Sequence, residues 1–251
     1  MKKKMIRIFL LIVLIVGGLA AGIYCINQFG TNRTGNTGQK AAADQDTDTV
    51  ADGVDSASQN DANLQRPKDQ SPTTIPQFHS SVDKDEDGVD DQVDILEGAL
   101  AYVATHPIYE SRYYNTGYPD DGYGVCTDVV ANALKSAGYD LMELIDQDIR
   151  KNPKTYGIEQ PDKNIDFRRV SNQRVYFERR AVSLTTDITK TDQWQGGDIV
   201  VFKKHIGIVS DRRNKYGIPF VIHHNTSTKD NYEQDILGKR TDIVGHYRLS
   251  E

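Results

Sequence analysis

The sequence predicts an α+β domain, with helices first and an antiparallel sheet after them. Apolar residues recur at helical spacing between residues 95 and 151, whereas beyond Gly197 the apolar runs are short, β-prone and separated by turn residues. A third observation fixes where chemistry is expected: a lone cysteine stands in Gly122-Tyr-Gly-Val-Cys126-Thr-Asp-Val-Val130, where a glycine-rich loop turns into a helix.

Taken in order, Lys2, Lys3, Lys4 and Arg7 form a basic end over 1–7, before an uninterrupted apolar run from Ile8 to Ile26. At about 1.5 Å per helical residue the run can cross roughly 30 Å of hydrocarbon. Basic residues before the span predict a cytoplasmic amino terminus and an exported remainder. The run reads as an uncleaved anchor. A signal peptide cleaved near Leu19-Ala20-Ala21 is the other reading, and a lipid-modified Cys25 is disfavoured by the bulk of Tyr24 before it. All three export the rest of the chain. The net charge of -6, with no basic stripe outside the first residues, argues against nucleic acid as a partner.

Residues 27–77 are polar, poor in aromatics and without a sustained period, so they are expected to form a disordered tether. Within 78–94 comes Asp83-Lys-Asp85-Glu-Asp87-Gly88-Val89-Asp90-Asp91-Gln-Val-Asp94. Asp83, Asp85, Asp87, Asp91 and Asp94 hold the carboxylate positions of a twelve-residue calcium loop, Gly88 its turn position, and Val89 the place of its carbonyl ligand. A structural Ca²⁺ is therefore expected, weakly bound because Asp94 is shorter than the usual glutamate. An acidic solvated end of the tether is the plainer reading. No helix precedes the loop, so it resembles the half EF-hands of dockerin-type modules. A helix comes directly after it, with Ile95, Leu96, Ala99, Leu100 and Val103 on one face.

The domain of 95–251 continues with a tyrosine-rich loop, Tyr109, Tyr113, Tyr114, Tyr118 and Tyr123, leading to the cysteine. Val129, Val130, Ala133, Leu134 and Ala137 define the helix that Cys126 opens, and Gly138 stops it. A helix start offers free N–H groups and a positive dipole end, which favour thiolate. A buried structural cysteine is the alternative, since free cysteines are commonly buried. Cys25 and Cys126 are the two cysteines of the chain, so an exported Cys126 has no second thiol in its own domain. Another helix is expected over Leu141–Lys151, capped by Asp140. A loop through Arg168 and Arg169 is expected next, then a short helix over 172–180 capped by Ser171. The two arginines suit a ligand carboxylate or the protein's own acids.

The strands are expected at Gly197–Phe202, His205–Ser210, Ile218–His223 and Ile243–Arg248. With side chains alternating, His205 and His223 can both face the helix of Cys126. A thiol needs a base, and an imidazole needs a second group to fix its tautomer. A metal site of His223, His224 and His246, with or without Cys126, is a rival whose spacing matches no zinc signature.

Gly-Val-Cys126-Thr-Asp-Val, Gly197-Asp198-Ile-Val-Val-Phe, His205-Ile-Gly-Ile-Val-Ser and Val-Ile-His223 resemble the papain-like fold of bacterial cell-wall cysteine peptidases of the NlpC type. More closely, Asp121-Gly-Tyr-Gly-Val-Cys-Thr-Asp, Pro161-Asp-Lys-Asn-Ile-Asp-Phe-Arg-Arg and Gly245-His-Tyr-Arg248 resemble the YijF-like family of bacterial envelope proteins, which carries a domain-of-unknown-function label. The likeness runs from about Asp94 to Arg248. It implies Cys126 as nucleophile, His205 as general base, His223 as the orienting third residue and a cell-wall peptide amide as substrate. The segment Asp211–Gly217 is longer than usual in the NlpC group and leaves His224 and Asn225 as further candidates for the third role. Tyr123, Arg168 and Arg169 are the expected substrate-binding residues. A membrane-tethered cysteine hydrolase is the reading that results, with a non-catalytic envelope-binding module on the same fold as the alternative.

Overall fold

A computed structural model describes residues 65–249. The expected anchor of 8–26, with Cys25, lies outside the described residues, as does the tether up to residue 64; among the described residues no helix is long and apolar enough to cross a membrane.

Helix α1 spans Asp91–Val103 and is capped by Asp90, whose carboxylate accepts the N–H groups of Gln92 and Val93. It therefore begins inside the acidic loop and carries Asp94 in its first turn. A short parallel bridge joins β1, Ile108–Tyr109, to β2, Tyr123–Gly124. Helix α2 comes next at Cys126–Ser136, and α3 at Leu141–Lys151 is capped by Asp140 as expected. After two single turns, α4 at Pro153–Tyr156 and α5 at Lys163–Asp166, helix α6 occupies Val170–Arg180. It starts before the expected cap: Ser171 lies within its first turn, and Arg169 occupies the cap position without a side-chain bond.

The remaining strands are β3 (Val182–Ser183), β4 (Ile199–Phe202), β5 (His205–Arg213), β6 (Pro219–Ile222), β7 (Glu233–Gln234) and β8 (Ile243–Arg248). They form one sheet in the order β3-β8-β4-β5-β6-β7, and every pairing is antiparallel. The α+β class and the antiparallel sheet are as the sequence predicts.

Both faces of this sheet are covered, which explains why β4 reads as an unbroken apolar run rather than an alternating one. Ile199 and Val201 face the helices, together with Ile206, Ile208, Ile222, Val129, Val130 and Leu134. Val200 and Phe202 face the other way, onto Trp194, Val209, Val221 and Leu237. Asp198 pins the end of β4 to β8. It is fully buried and receives both Nε and Nη2 of Arg248, at 2.7 and 2.9 Å.

The tether expected to reach residue 77 meets the domain earlier. The Arg66 guanidinium lies 2.9 Å from both carboxylate oxygens of Glu233 and also pairs with Asp211; Gln70 N–H donates to the Arg213 carbonyl at 2.8 Å, and Arg213 N–H to Asp69. A polar, aperiodic stretch can thus be held by main-chain bonds and ion pairs, which leave no hydrophobic period to read.

Candidate active site

Cys126 is the first residue of α2, comes after an extended Val125, and is 6% exposed. Three N–H groups, those of Ile206, Thr127 and Cys126 itself, act on the sulfur and draw its pKa down, as a helix start should. Burial outweighs them, with help from the Asp128 carboxylate, and the thiol is pushed up to about 11. The resting group is a thiol, contrary to the thiolate that the helix start alone predicts.

Asp128 has its own tasks. Its Oδ2 accepts the Val125 N–H at 2.8 Å, and both its oxygens bind Arg168, at 2.7 and 2.9 Å. Arg168 is buried, and its Nη1 also donates to the Arg112 carbonyl at 2.5 Å. This arginine is therefore spent on the protein's own acid, clamping the 161–169 loop to the start of α2. Arg169 is largely exposed and pairs with Asp166 at 3.4 Å. Tyr123, three residues before the cysteine, lies under the Arg112 guanidinium, 3.3 Å from its ring centre.

The imidazoles meet at the other side of the strand end. Lys203-Lys204 makes a two-residue hairpin that sets Phe202 opposite His205, so His205 shares the face of Phe202, with ring centres 6.0 Å apart. The expectation that both histidines face the helix is corrected accordingly: Ile206 points to the helices, and His205 does not. His205 Nε2 lies 3.0 Å from His223 Nδ1. Gly207 permits this approach, because a Cβ there would stand 2.7 Å from the Ile222 carbonyl and 3.1 Å from His223 Cβ.

The proton positions in this pair derive from Asn225. Its Oδ1 accepts from Ser227 N–H at 2.7 Å and Ser227 Oγ at 2.6 Å, which turns Nδ2 toward His223 Nδ1 at 3.4 Å. His223 Nδ1 is then an acceptor, His205 Nε2 carries a proton, and His205 Nδ1 holds a lone pair. Burial lowers His205 to about 4, assisted by the Arg240 guanidinium, and burial with His205 lowers His223 to about 3, so both rings are neutral near pH 7. His223 Nε2 is buried without a hydrogen bond, although the Gln234 side chain acts on it.

Among the described residues no hydrogen bond joins Cys126 to His205 or His223. What connects them is β5 itself: the residue after His205 offers its N–H to the sulfur. Ladder pairing with β6 is made at Ile208, so Ile206 belongs to the open end of the sheet. His224 points away from His223, as strand alternation requires, and stacks edge-on against Tyr109 at 5.1 Å. Within the tyrosine-rich loop Tyr109 carries no distinguishing mark. Its electrostatic contact with Cys126 arises from the β1–β2 bridge, a parallel pairing two residues long that leaves no pattern in sequence.

His246, the third member of the rival metal site, is elsewhere. It stacks on Trp194 at 3.7 Å, with Nε2 2.9 Å from Asp198 and Nδ1 2.7 Å from the Thr185 carbonyl. Among the described residues, Asp83, Asp85 and Asp87 are the group whose potential metal-ligating atoms converge.

This arrangement defines an α+β domain with a helix-start thiol held by the N–H of Ile206 and, one residue before Ile206, a histidine paired with His223. The chain belongs to the family described as domain of unknown function DUF1287, whose model matches residues 96–249. Among curated proteins it is similar to the Uncharacterized protein YijF of Escherichia coli strain K12, with 36% identity over 167 residues that make up 61% of this chain and 80% of that protein. No solved structure matches it.

Proposed function

We propose that the chain is an exported, membrane-tethered cysteine hydrolase with a papain-like fold of the NlpC type, a peptidase or amidase acting on peptidoglycan stem peptides. The observation that carries this reading is the His205–His223 contact, whose tautomer leaves His205 Nδ1 with a free lone pair, next to the residue whose N–H meets the Cys126 sulfur.

In this reading His205 Nδ1 takes the thiol proton as sulfur attacks the amide carbonyl carbon. The N–H of Cys126, which passes from the sulfur to the substrate oxygen as the thiol attacks, receives the oxyanion together with a neighbouring loop group. The C–N bond then breaks, the imidazolium returns its proton to the leaving amine, and a thioester remains on Cys126. Water, deprotonated by His205, releases the acid and restores the thiol. His223 holds the His205 ring and its tautomer, and Asn225 holds His223. His205 opens β5 at its free end, so the scheme requires its ring to turn around that end and meet the thiol when substrate binds. Export and the wall substrate rest on the apolar segment 8–26 and on the resemblance.

A non-catalytic envelope-binding module is the second reading, favoured by the thiol pKa of about 11 and the missing sulfur–imidazole bond. Incubating purified wall fragments with the full chain and with its Cys126→Ala variant, followed by mass spectrometry, separates the two. New peptide termini that depend on Cys126 support the hydrolase. Identical digests, with fragments still retained by the protein, support the binding module.

A further inference from the structure

The acidic stretch before α1 has the folded form of an ion-binding loop. Asp83 Oδ2 accepts the Gly88 N–H at 2.9 Å and Oδ1 the Asp87 N–H at 3.2 Å, while Asp87 Oδ1 accepts the Val89 N–H at 2.8 Å. Gly88 has φ +97°, which reverses the chain there. Potential ligand oxygens of Asp83, Asp85 and Asp87 lie within 4.8 Å of one another, all on exposed residues. The loop's own cation does not neutralise them, since Lys84 lies over the Tyr139 ring.

A cluster of carboxylates on a surface proves little by itself, and the informative residue is Asp94. It sits in the first turn of α1, is 8% exposed, and its Oδ2 is buried with no hydrogen-bond partner. The charges that bear on it most are those of Asp87 and Asp85. A buried carboxylate oxygen left without a donor is costly, and more so among like charges. A cation among these carboxylates removes both penalties. Asp91 is different: its Oδ1 accepts the Lys84 N–H at 2.8 Å and its Oδ2 the Tyr139 hydroxyl. It fastens the loop to the body from the α1 side, and the site proposed below is built on the other carboxylates.

We propose that residues 83–94 form a calcium site in which Asp83, Asp85, Asp87 and Asp94 supply carboxylate oxygens and Val89 its main-chain carbonyl. The donors are all hard oxygens, supplied by the loop and by Asp94 in the first turn of α1, which suits Ca²⁺ over Zn²⁺ or Mg²⁺. Asp94 is shorter than glutamate and reaches the ion with fewer bonds, so affinity falls in the range of about 10⁻⁴–10⁻³ M typical of extracellular modules. The loop backs onto Gly138, where Asp85 Cβ lies 3.1 Å from the position of an added Cβ. Calcium therefore ties the entry of the domain to α1 and to the exit of α2, independently of any chemistry at Cys126.

The test is calorimetric titration of the full chain with Ca²⁺ and Mg²⁺, paired with thermal melting. The expected result is saturable Ca²⁺ binding in that range and a melting point raised by roughly 3–10 °C in about 10 mM Ca²⁺. Mg²⁺ should give a much smaller response. Asp83→Asn and Asp94→Asn should each weaken Ca²⁺ binding about tenfold or more. Asp94→Asn should also raise the melting point without metal, because it removes an unpaired buried charge; this shows that the variant is folded. No saturable Ca²⁺ binding, equal Mg²⁺ binding, or unchanged affinity in both variants would overturn the proposal.

Discussion

His205 Nε2 approaches His223 Nδ1 to 3.0 Å with the two ring planes at 89°. One imidazole thus aims its N–H at the lone pair of the other, and in the proposed mechanism this leaves the second nitrogen of His205 to act as base. In that mechanism His223 is a positioning residue. His223→Ala should lower kcat by about tenfold or more with little change in KM, since tautomer control acts on the proton-transfer step. The acid limb of the pH–rate profile should also move, which a purely structural loss would not cause. Steady-state kinetics against pH checks this.

The same pair has a stability signature. Both histidines have folded-state pKa values below the ordinary 6.5, about 4 and about 3. The unfolded chain therefore binds protons first, so their contribution is complete above about pH 6.5 and is lost as pH falls toward about 3. Denaturant midpoints should decline over that window in the wild type. They should decline less in His223→Gln, and equal slopes in the two proteins would contradict the assignment.

Thiol reactivity is set by the burial of Cys126. With its pKa pushed up to about 11, the alkylation rate of Cys126 by iodoacetamide should rise about tenfold per pH unit from neutrality, without a plateau below about pH 10. Peptide mapping distinguishes this site from Cys25. A plateau near pH 7 would mean a resting thiolate and a different electrostatic balance.

Asp128 and Arg168 form an ion pair with side chains 0% and 1% exposed. Asp128→Ala leaves the guanidinium buried and unpaired, and also frees the Val125 N–H, so it should cost about 3–5 kcal/mol in urea unfolding. The double variant with Arg168→Met should recover most of that loss, as removal of both charges does elsewhere.

Much of the fold is legible in the sequence because periodicity and caps are local. Leu141–Lys151 with its Asp140 cap, the helix opened by Cys126 and the strand at Ile243–Arg248 all depend on residues within a few positions of each other. Register is not local in that sense. Which face His205 takes depends on the two-residue hairpin at Lys203-Lys204, and β5 read alone puts it on the helix side. The role of Arg168 is equally open in sequence, because its partner Asp128 is 40 residues away. Arg66 sits in a polar stretch whose partners, Asp211 and Glu233, belong to the far end of the chain.

Covalent catalysis at this site means a bond between the Cys126 sulfur and the acyl group of the substrate. Hydroxylamine present while the full chain acts on wall stem peptides would capture that acyl group. An acyl hydroxamate should form alongside the free acid with the wild type, and with neither Cys126→Ala nor, above about 1% of the wild-type rate, His205→Gln. Free acid without hydroxamate, or hydroxamate formed equally well by Cys126→Ala, would contradict a thioester on Cys126.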